Sequence, residues 1–416
     1  MRLWSVATMS FGQGEIAGVF CYSGENLINV VLLNYVIMVN KGDIDWSFVD
    51  VAEPLPASDY PEGSPVCEWG KLKVAPNDKG LRVLCSDCGE PVQLKGFSSH
   101  GLQWSGAANV TSANVKFMKE QWGCNVFRIV VYVNEEGGFF CNPTHLTFHV
   151  ENAVRWCGEN GIYCLIDWHV HNPGNPQDVK YRNCPLSGMD LAATFFHYCA
   201  KRFRNQKHVI YELCNEPNSR GEMTEVSWRD VIKPYCEEML CIVRQYDPDV
   251  VVVCGTPSWS QRPQDVIGFE PADCAGDCFG NVMYSFHFYA ASHNDGRKTD
   301  TDTKFEGVDF FKLFTDGDAE NGVPPILEAL PIFVTEWGTT DASGWTNFRP
   351  DLADVWMRIF DGENSAGQRV SWCNWSFSAE GGVCAALKWN CGNMYDASSA
   401  ILSDSGRYVV GKIMKM

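Results

Sequence analysis

The chain has 416 residues, 45% of them hydrophobic and 20% charged, a balance that supports a large buried core and excludes a disordered protein. The formal charge is −18, from 33 Lys and Arg against 51 Asp and Glu, so the surface lacks the cations that neutralise a nucleic-acid backbone. No stretch reaches the ~20 apolar residues of a membrane-spanning helix, so neither nucleic acid nor a bilayer is expected as a partner, and a monomer is the expected state. Aromatic residues include 15 Trp, which suit a core but also the flat platforms on which sugar rings pack. The 19 Cys point to an oxidising, extracellular setting with several disulfides, and their odd number leaves at least one thiol unpaired. The close pairs Cys85/Cys88 and Cys274/Cys278 lack a second pair or a His partner at zinc-site spacing, so no metal is expected.

In chain order, residues 27–39 form an apolar run too short to span a membrane, without the basic lead-in or small-residue cleavage site of a clean signal peptide. A decayed secretion segment and an extra strand on the main domain both fit it. Residues 52–66 carry four Pro and read as a linker. The expected organisation is therefore an N-terminal extension and linker over 1–64, followed by one domain over 65–416.

From about residue 67, short apolar strands alternate with helical stretches. The expected strands are 91–97, 125–133, 162–169, 209–217, 250–256, 282–289, 331–337 and 370–377. They are near-continuous apolar runs, as parallel strands buried on both faces require. Residues 147–158 and 226–245 carry helical periodicity, whereas only a weak helix follows the fifth strand. Eight strands with seven or eight helices predict an α/β fold, a (β/α)8 TIM barrel. A doubly wound sheet is the alternative, but the segment from Gly96 to Gly101 does not match its glycine-rich turn.

A barrel of this kind carries its site at the carboxyl ends of the strands. Reading each strand to its end collects His100 and Trp104 past the first, Arg128 in the second, and Asp167, Trp168 and His169 at the third. Asn215 and Glu216 close the fourth, Trp259 follows the fifth, and His287 and Tyr289 close the sixth. Glu336 and Trp337 end the seventh, and Trp375 the eighth. Two carboxylates on opposite sides of one mouth suit glycosidic-bond hydrolysis, with one protonating the leaving oxygen and the other attacking the anomeric carbon. In this reading Glu216 is the acid/base and Glu336 the nucleophile. Arg128 and Tyr289 hydrogen-bond Glu336, His287 orients it, and Asn215 holds a sugar 2-hydroxyl. Asp167 is expected as a buried hydrogen-bonding partner.

The segments YELCNEPN (211–218) and FVTEWGTTDASG (333–344) resemble the acid/base and nucleophile motifs of glycoside hydrolase family five, the cellulase family. KGFSSHGLQW (95–104), IDWHVHNPGNP (166–176), GTPSWSQ (255–261), MYSFHFYAASH (283–293) and WCNWSFS (372–378) resemble the segments around them, and the likeness runs from about Cys67 to the end. The resemblance is to the bacterial-type endo-β-1,4-glucanases. It implies a retaining, cofactor-free and metal-free enzyme acting on a β-1,4-glucan polysaccharide, with Glu216 as proton donor and Glu336 as nucleophile. Arg128, His169, Asn215, His287, Tyr289 and Trp375 would surround them, and His100, Trp104 and Trp259 would line sugar subsites. Ala379 and Glu380 stand where related enzymes place a Lys. A β-mannanase, lichenase or xyloglucanase on the same machinery, or a catalytically dead carbohydrate-binding barrel, are the alternatives.

Overall fold

The computed structural model describes residues 5–11, 14–20, 53–182, 190–298, 305–380, 382–388, 398 and 401–414. It divides into two compact units, Met1–Ile44 and Asp45–Met416. In the first, Ser5–Phe11 and Gly14–Phe20 pair as an antiparallel hairpin. The apolar run 27–39 lies outside the described residues. No described helix is long and apolar enough to cross a membrane.

The second unit is a closed (β/α)8 barrel of parallel strands. They are β1 (Lys95–Ser99), β2 (Val126–Tyr132), β3 (Tyr163–His169), β4 (Val209–Glu212), β5 (Val252–Cys254), β6 (Val282–Tyr289), β7 (Ile332–Gly338) and β8 (Ser371–Phe377), each paired to the next, with β8 returning to β1. The helices outside it include α1 (Ser112–Trp122), α2 (Pro143–Asn160), α3 (Leu191–Phe203), α4 (Lys233–Arg244), α5 (Phe310–Thr315), α6 (Pro350–Phe360) and α7 (Asp404–Ile413). Local chemistry sets their ends. Thr111, Asp190 and Ser403 accept backbone N–H bonds at the starts of α1, α3 and α7, and Gly123 and Gly161 close α1 and α2 in the left-handed conformation. After β5 only the short turns Pro257–Ser260 and Pro263–Val266 form, in line with the weak helical pattern there.

The interior is layered by the two-residue period of the strands. Val126, Tyr163, Leu165, Ile210, Val253, Met283, Phe333 and Cys373 form one apolar cluster with Val66, Leu72, Leu84, Val92 and Leu94 from the segment preceding β1. That segment contains an antiparallel hairpin, Lys73–Pro76 with Arg82–Cys85, which covers the amino-terminal end of the barrel. Two residues further along the same strands, the inward positions become Arg128, Asp167, Glu212, Ser285 and Thr335. An apolar plug below and polar side chains above thus share one strand phase.

Residues 53–64, read from their prolines as a linker, lie on the outside of this unit. Leu55 N donates to Arg202 O at 2.8 Å, Ser58 Oγ to Gln206 Oε1 at 2.6 Å, and the Tyr60 hydroxyl bonds His208 Nδ1 at 3.0 Å. His208 accepts there because Nε2 donates to Val154 O at 2.8 Å, and burial pushes its pKa down to about 4.

The expected disulfides are not found among the described residues, whose sixteen cysteines are all free thiols. Ten of them are buried, and the reason is packing: a buried thiol behaves as a small hydrophobe, and these sit in strands, on inner helix faces and, for Cys124, Cys214 and Cys384, in buried loops. Burial pushes Cys164, Cys199 and Cys214 well above the ordinary thiol range. The cysteine content therefore lends no support to an oxidising setting. In a thiol titration, Cys67, Cys88, Cys141, Cys241, Cys274 and Cys278 should react in the native protein, and the ten buried thiols only in denaturant. Disulfide-linked peptides between described cysteines would contradict this packing.

Candidate active site

Arg128 is the hub of the polar layer. It is fully buried, and each of its three nitrogens has an acceptor. Nε donates to Glu212 Oε2 at 2.7 Å; one terminal nitrogen donates to Glu336 Oε2 at 3.3 Å and Ser98 Oγ at 3.2 Å. The other donates to Asn215 Oδ1 at 2.6 Å and lies 2.9 Å from Asp167 Oδ2. One guanidinium from β2 thus joins groups on β1, β3, β4 and β7 and the loop after β4. Burial alone would push Arg128 down, but Asp167, Glu212 and Glu336 together hold it protonated.

Asp167 is the buried partner the sequence suggested. Its Oδ2 also meets His169 Nδ1 at 2.5 Å, and His169 Nε2 faces Asn215 Nδ2 at 3.3 Å. The Asn215 amide donates there, so Nε2 is bare and Nδ1 carries the proton. Burial, with Arg128 nearby, keeps His169 well below its ordinary pKa, which fits this neutral form. Asn215 is locked between Arg128 and His169.

Glu336 reaches the mouth through an irregularity that strand period does not reveal. Ser285 pairs with Phe333 but His287 pairs with Glu336, so β7 carries one extra residue against β6. On its other side Val334 pairs with Trp372 and Trp337 with Asn374, the same excess. This bulge turns Glu336 inward although Thr335 already faces the axis. Glu336 is 5% exposed. Oε2 is held by Arg128, and Oε1 accepts from the Tyr289 hydroxyl at 2.9 Å. Tyr289 fits because its strand neighbour is Gly338: a Cβ there would come within 2.5 Å of the Tyr289 ring. Burial and Glu216 raise the pKa of Glu336 against the pull of His287, Arg128 and Tyr289.

Glu216 stands just past β4 and is more open, with 13% of its side chain exposed. His287, expected beside Glu336, places Nδ1 3.0 Å from Glu216 Oε1 instead. The reason is that β6 runs between β5 and β7, and His287 faces the β4 loop across the mouth while Thr335 occupies its Nε2 at 2.9 Å. One oxygen of Glu216, one of Glu336 and a ring nitrogen of His287 lie within 4.8 Å of one another.

An aromatic track leads away from these carboxylates. His100, Trp104, Tyr132, His169 and Trp375 follow one another with ring centroids 4.2–5.7 Å apart, and His169 and Trp375 are nearly parallel at 16°. Trp104 is 42% exposed, as a platform must be. Tyr132, the last residue of β2, and Glu212, the last of β4, were missed in the sequence because the expected strands, 125–133 and 209–217, ran on past them. Trp168 belongs to the core, stacked on Phe195. Trp259 sits half-buried in a turn where Ser258, Trp259 and Ser260 all have positive φ of 55–61°, a strain of about 1 kcal/mol or more each. Ser260 Oγ donates to Asn215 O at 2.7 Å and Trp259 N to Pro217 O at 3.0 Å, so this turn is stitched to the Glu216 segment. Glu380 accepts from Ser105 Oγ at 2.7 Å and acts on the His100 charge, so this acidic side chain is engaged beside the aromatic track.

The family model for "Cellulase (glycosyl hydrolase family 5)" matches residues 85–381. The chain belongs to glycoside hydrolase family 5. An endoglucanase of Clostridium saccharobutylicum is 31% identical over 340 residues, covering 82% of this chain and 64% of its own length. Endoglucanase A of Evansella cellulosilytica is 34% identical over 325 residues, 78% of this chain and 57% of its own. The chain thus spans less than two thirds of either relative. Among solved structures, the catalytic domain of Thermobifida fusca endoglucanase Cel5A, in a variant bound to cellotetraose, is 30% identical with a TM-score of 0.66, covering 85% of this chain and 100% of that one. Cellulase Cel5C_n is 34% identical with a TM-score of 0.68, covering 85% of this chain and 95% of that one. The polar layer of this family 5 barrel, with its two carboxylates and aromatic track, is therefore built on the family's own scaffold.

Proposed function

We propose that the protein is a retaining endo-β-1,4-glucanase that hydrolyses internal bonds of cellulose and related β-glucans by double displacement. The carboxylate separation carries this reading. Oxygens of Glu216 and Glu336 lie within 4.8 Å, the close spacing of a retaining pair at ~5–5.5 Å, whereas an inverting pair leaves ~6.5–9.5 Å for a water. Endoglucanase relatives at about 30% identity support the substrate class.

Each carboxylate has the surroundings its role needs. Glu336, buried and fixed by Arg128 and Tyr289, attacks the anomeric carbon as the glycosidic C–O bond breaks. Glu216, open to the cleft, gives its proton to the departing oxygen. Glu216 then takes a proton from water, which displaces Glu336 from the glycosyl–enzyme and restores the β-configuration. Asn215 keeps an amide hydrogen on a long 3.4 Å contact with Val170 O, and this hydrogen is the one available to the sugar 2-hydroxyl. The Glu216, His287 and Glu336 trio also has the spacing of a cation site, but its inner atoms are already engaged by Arg128, Tyr289 and one another. An insoluble polymer must be met outside the cell, so extracellular work is part of this proposal.

The test is the anomer released first from a soluble cello-oligosaccharide, followed by proton NMR, beside reducing-sugar release from carboxymethyl cellulose, barley β-glucan, mannan and xylan. The β-anomer and activity on the first two polymers are expected. Initial α-anomer would sink the retaining mechanism, and activity confined to mannan would move the substrate. Glu336 must be ionised to attack, and its pKa is raised. The acidic limb of kcat/KM is therefore expected above the ordinary Glu value of ~4.3, as a property of the coupled Glu216–Glu336 pair. Trp104→Ala removes an exposed platform outside the reacting centre and is expected to raise KM for long cello-oligosaccharides about tenfold with much less change in kcat, the pattern of lost uniform binding. An unchanged KM would take Trp104 out of the cleft.

A further inference from the structure

We propose that Glu212 and Thr335 are positioning residues that fix the His287 ring so that a single proton is shared between His287 Nδ1 and Glu216. The inference rests on Glu216 being the acid of the reaction above. Glu212 is fully buried at the end of β4; Oε2 accepts from Arg128 Nε at 2.7 Å, and Oε1 accepts from Thr335 Oγ1 at 2.6 Å. Beside Arg128 and His287, Glu212 is held below the ordinary carboxylate range despite its burial, so it is ionised and only accepts. Thr335 has one hydroxyl hydrogen, and Glu212 takes it. Its oxygen therefore accepts from the other two neighbours, Ser285 Oγ at 2.5 Å and His287 Nε2 at 2.9 Å. Nε2 must carry a hydrogen.

With Nε2 committed, the 3.0 Å gap between Nδ1 and Glu216 Oε1 holds one proton, which lies on Glu216 when His287 is neutral and on His287 when Glu216 is a carboxylate. Donation to the leaving oxygen empties this gap, and deprotonation of water refills it, so proton count balances over the cycle. Without the Thr335 oxygen, the neutral ring is free to carry its own hydrogen on Nδ1; it then donates to Glu216 and favours the carboxylate, which has no proton to give. The charged groups facing His287 are Glu212 and Glu216 from the end of β4, Glu336 from β7, Arg128 from β2 and Asp167 and His169 from β3. Burial alone would lower His287, but Glu212, Glu216 and Glu336 outweigh it and push its pKa up to about 9.

Thr335→Val in the full chain keeps the side-chain shape and the Arg128–Glu212 pair while deleting the hydroxyl. The alkaline limb of kcat/KM is expected to move down by about one pH unit, because a group favouring the protonated ring is disconnected. Turnover of cello-oligosaccharides should fall tenfold or more, whereas a dinitrophenyl cellobioside, whose leaving group departs unprotonated, should be cleaved at a rate near the parent's, as loss of general acid catalysis requires. Thr335→Ser should restore both, and Glu212→Gln should shift the limb in the same direction. Equal losses on both substrates with an unmoved limb would overturn the proposal. Nitrogen NMR of the parent's imidazoles reads the ring directly: a hydrogen on His287 Nε2 is expected, and a neutral Nδ1–H ring would overturn it. That measurement needs no turnover, so a parent inactive on every β-glucan would defeat the glucanase reading while the NMR still decides the His287 assignment.

Discussion

Glu336→Gln is expected to lose hydrolysis by about four orders of magnitude or more in kcat, since an amide cannot form the glycosyl ester and nucleophile deletions have losses on that scale. The fold should survive. The amide oxygen still accepts from Arg128 or Tyr289, and the side chain fills the same space beneath the mouth. Circular dichroism and the thermal midpoint should therefore stay near those of the parent while reducing-sugar release vanishes. Glu216→Gln should separate the two roles: it is expected to slow natural substrates severely, yet still accumulate a glycosyl–enzyme with an activated aryl glycoside, detectable by mass spectrometry. An active Glu336→Gln enzyme would remove the nucleophile assignment.

The largest effect on stability is expected at Arg128. Arg128→Met fills similar space but strips the cation that bridges Asp167 and Glu212, while leaving Glu336 held by Tyr289 alone. Removing one partner of a buried ionic cluster costs about 3–5 kcal/mol, because the remaining charges stay out of water without compensation. The loss has a pH signature. Without Arg128 the buried carboxylates have folded-state pKa values above their unfolded value of ~4, so the folded variant binds more protons than the unfolded chain. The deficit relative to the parent should be small in acid and grow as pH rises through that range. Denaturant titrations at several pH values measure it, and a deficit below about 1 kcal/mol at neutral pH would mean that the carboxylates are neutral in the native protein.

Much of this was legible in the residues. The eight strand runs were visible because parallel strands buried on both faces must be apolar almost throughout, and each one overlaps a barrel strand, although the first strand is shifted to Lys95–Ser99 and the fourth stops at Glu212. The polar residues that break those runs, Arg128 within the second and Asp167, His169 and Asn215 towards the ends of the third and fourth, could only be accommodated by meeting one another, and they do. The missing helix after β5 was also visible as a weak pattern. Cysteine use was misread, because composition counts thiols without showing that ten of them are packed as small apolar side chains.

What the sequence by itself determined is the set of elements and the inventory of groups at one rim, since both follow from local periodicity and from the cost of burying polar side chains. What only the tertiary structure decided is which of those groups touch. The extra residue in β7 turns Glu336 inward against the strand phase, and pairing across the mouth gives His287 to Glu216. Barrel closure brings Glu212 of β4, Arg128 of β2 and Thr335 of β7 into hydrogen-bonding range although they are far apart in the chain. Hydrogen bonds act over a few ångströms, and the register and bulges that set those distances depend on all eight strands at once.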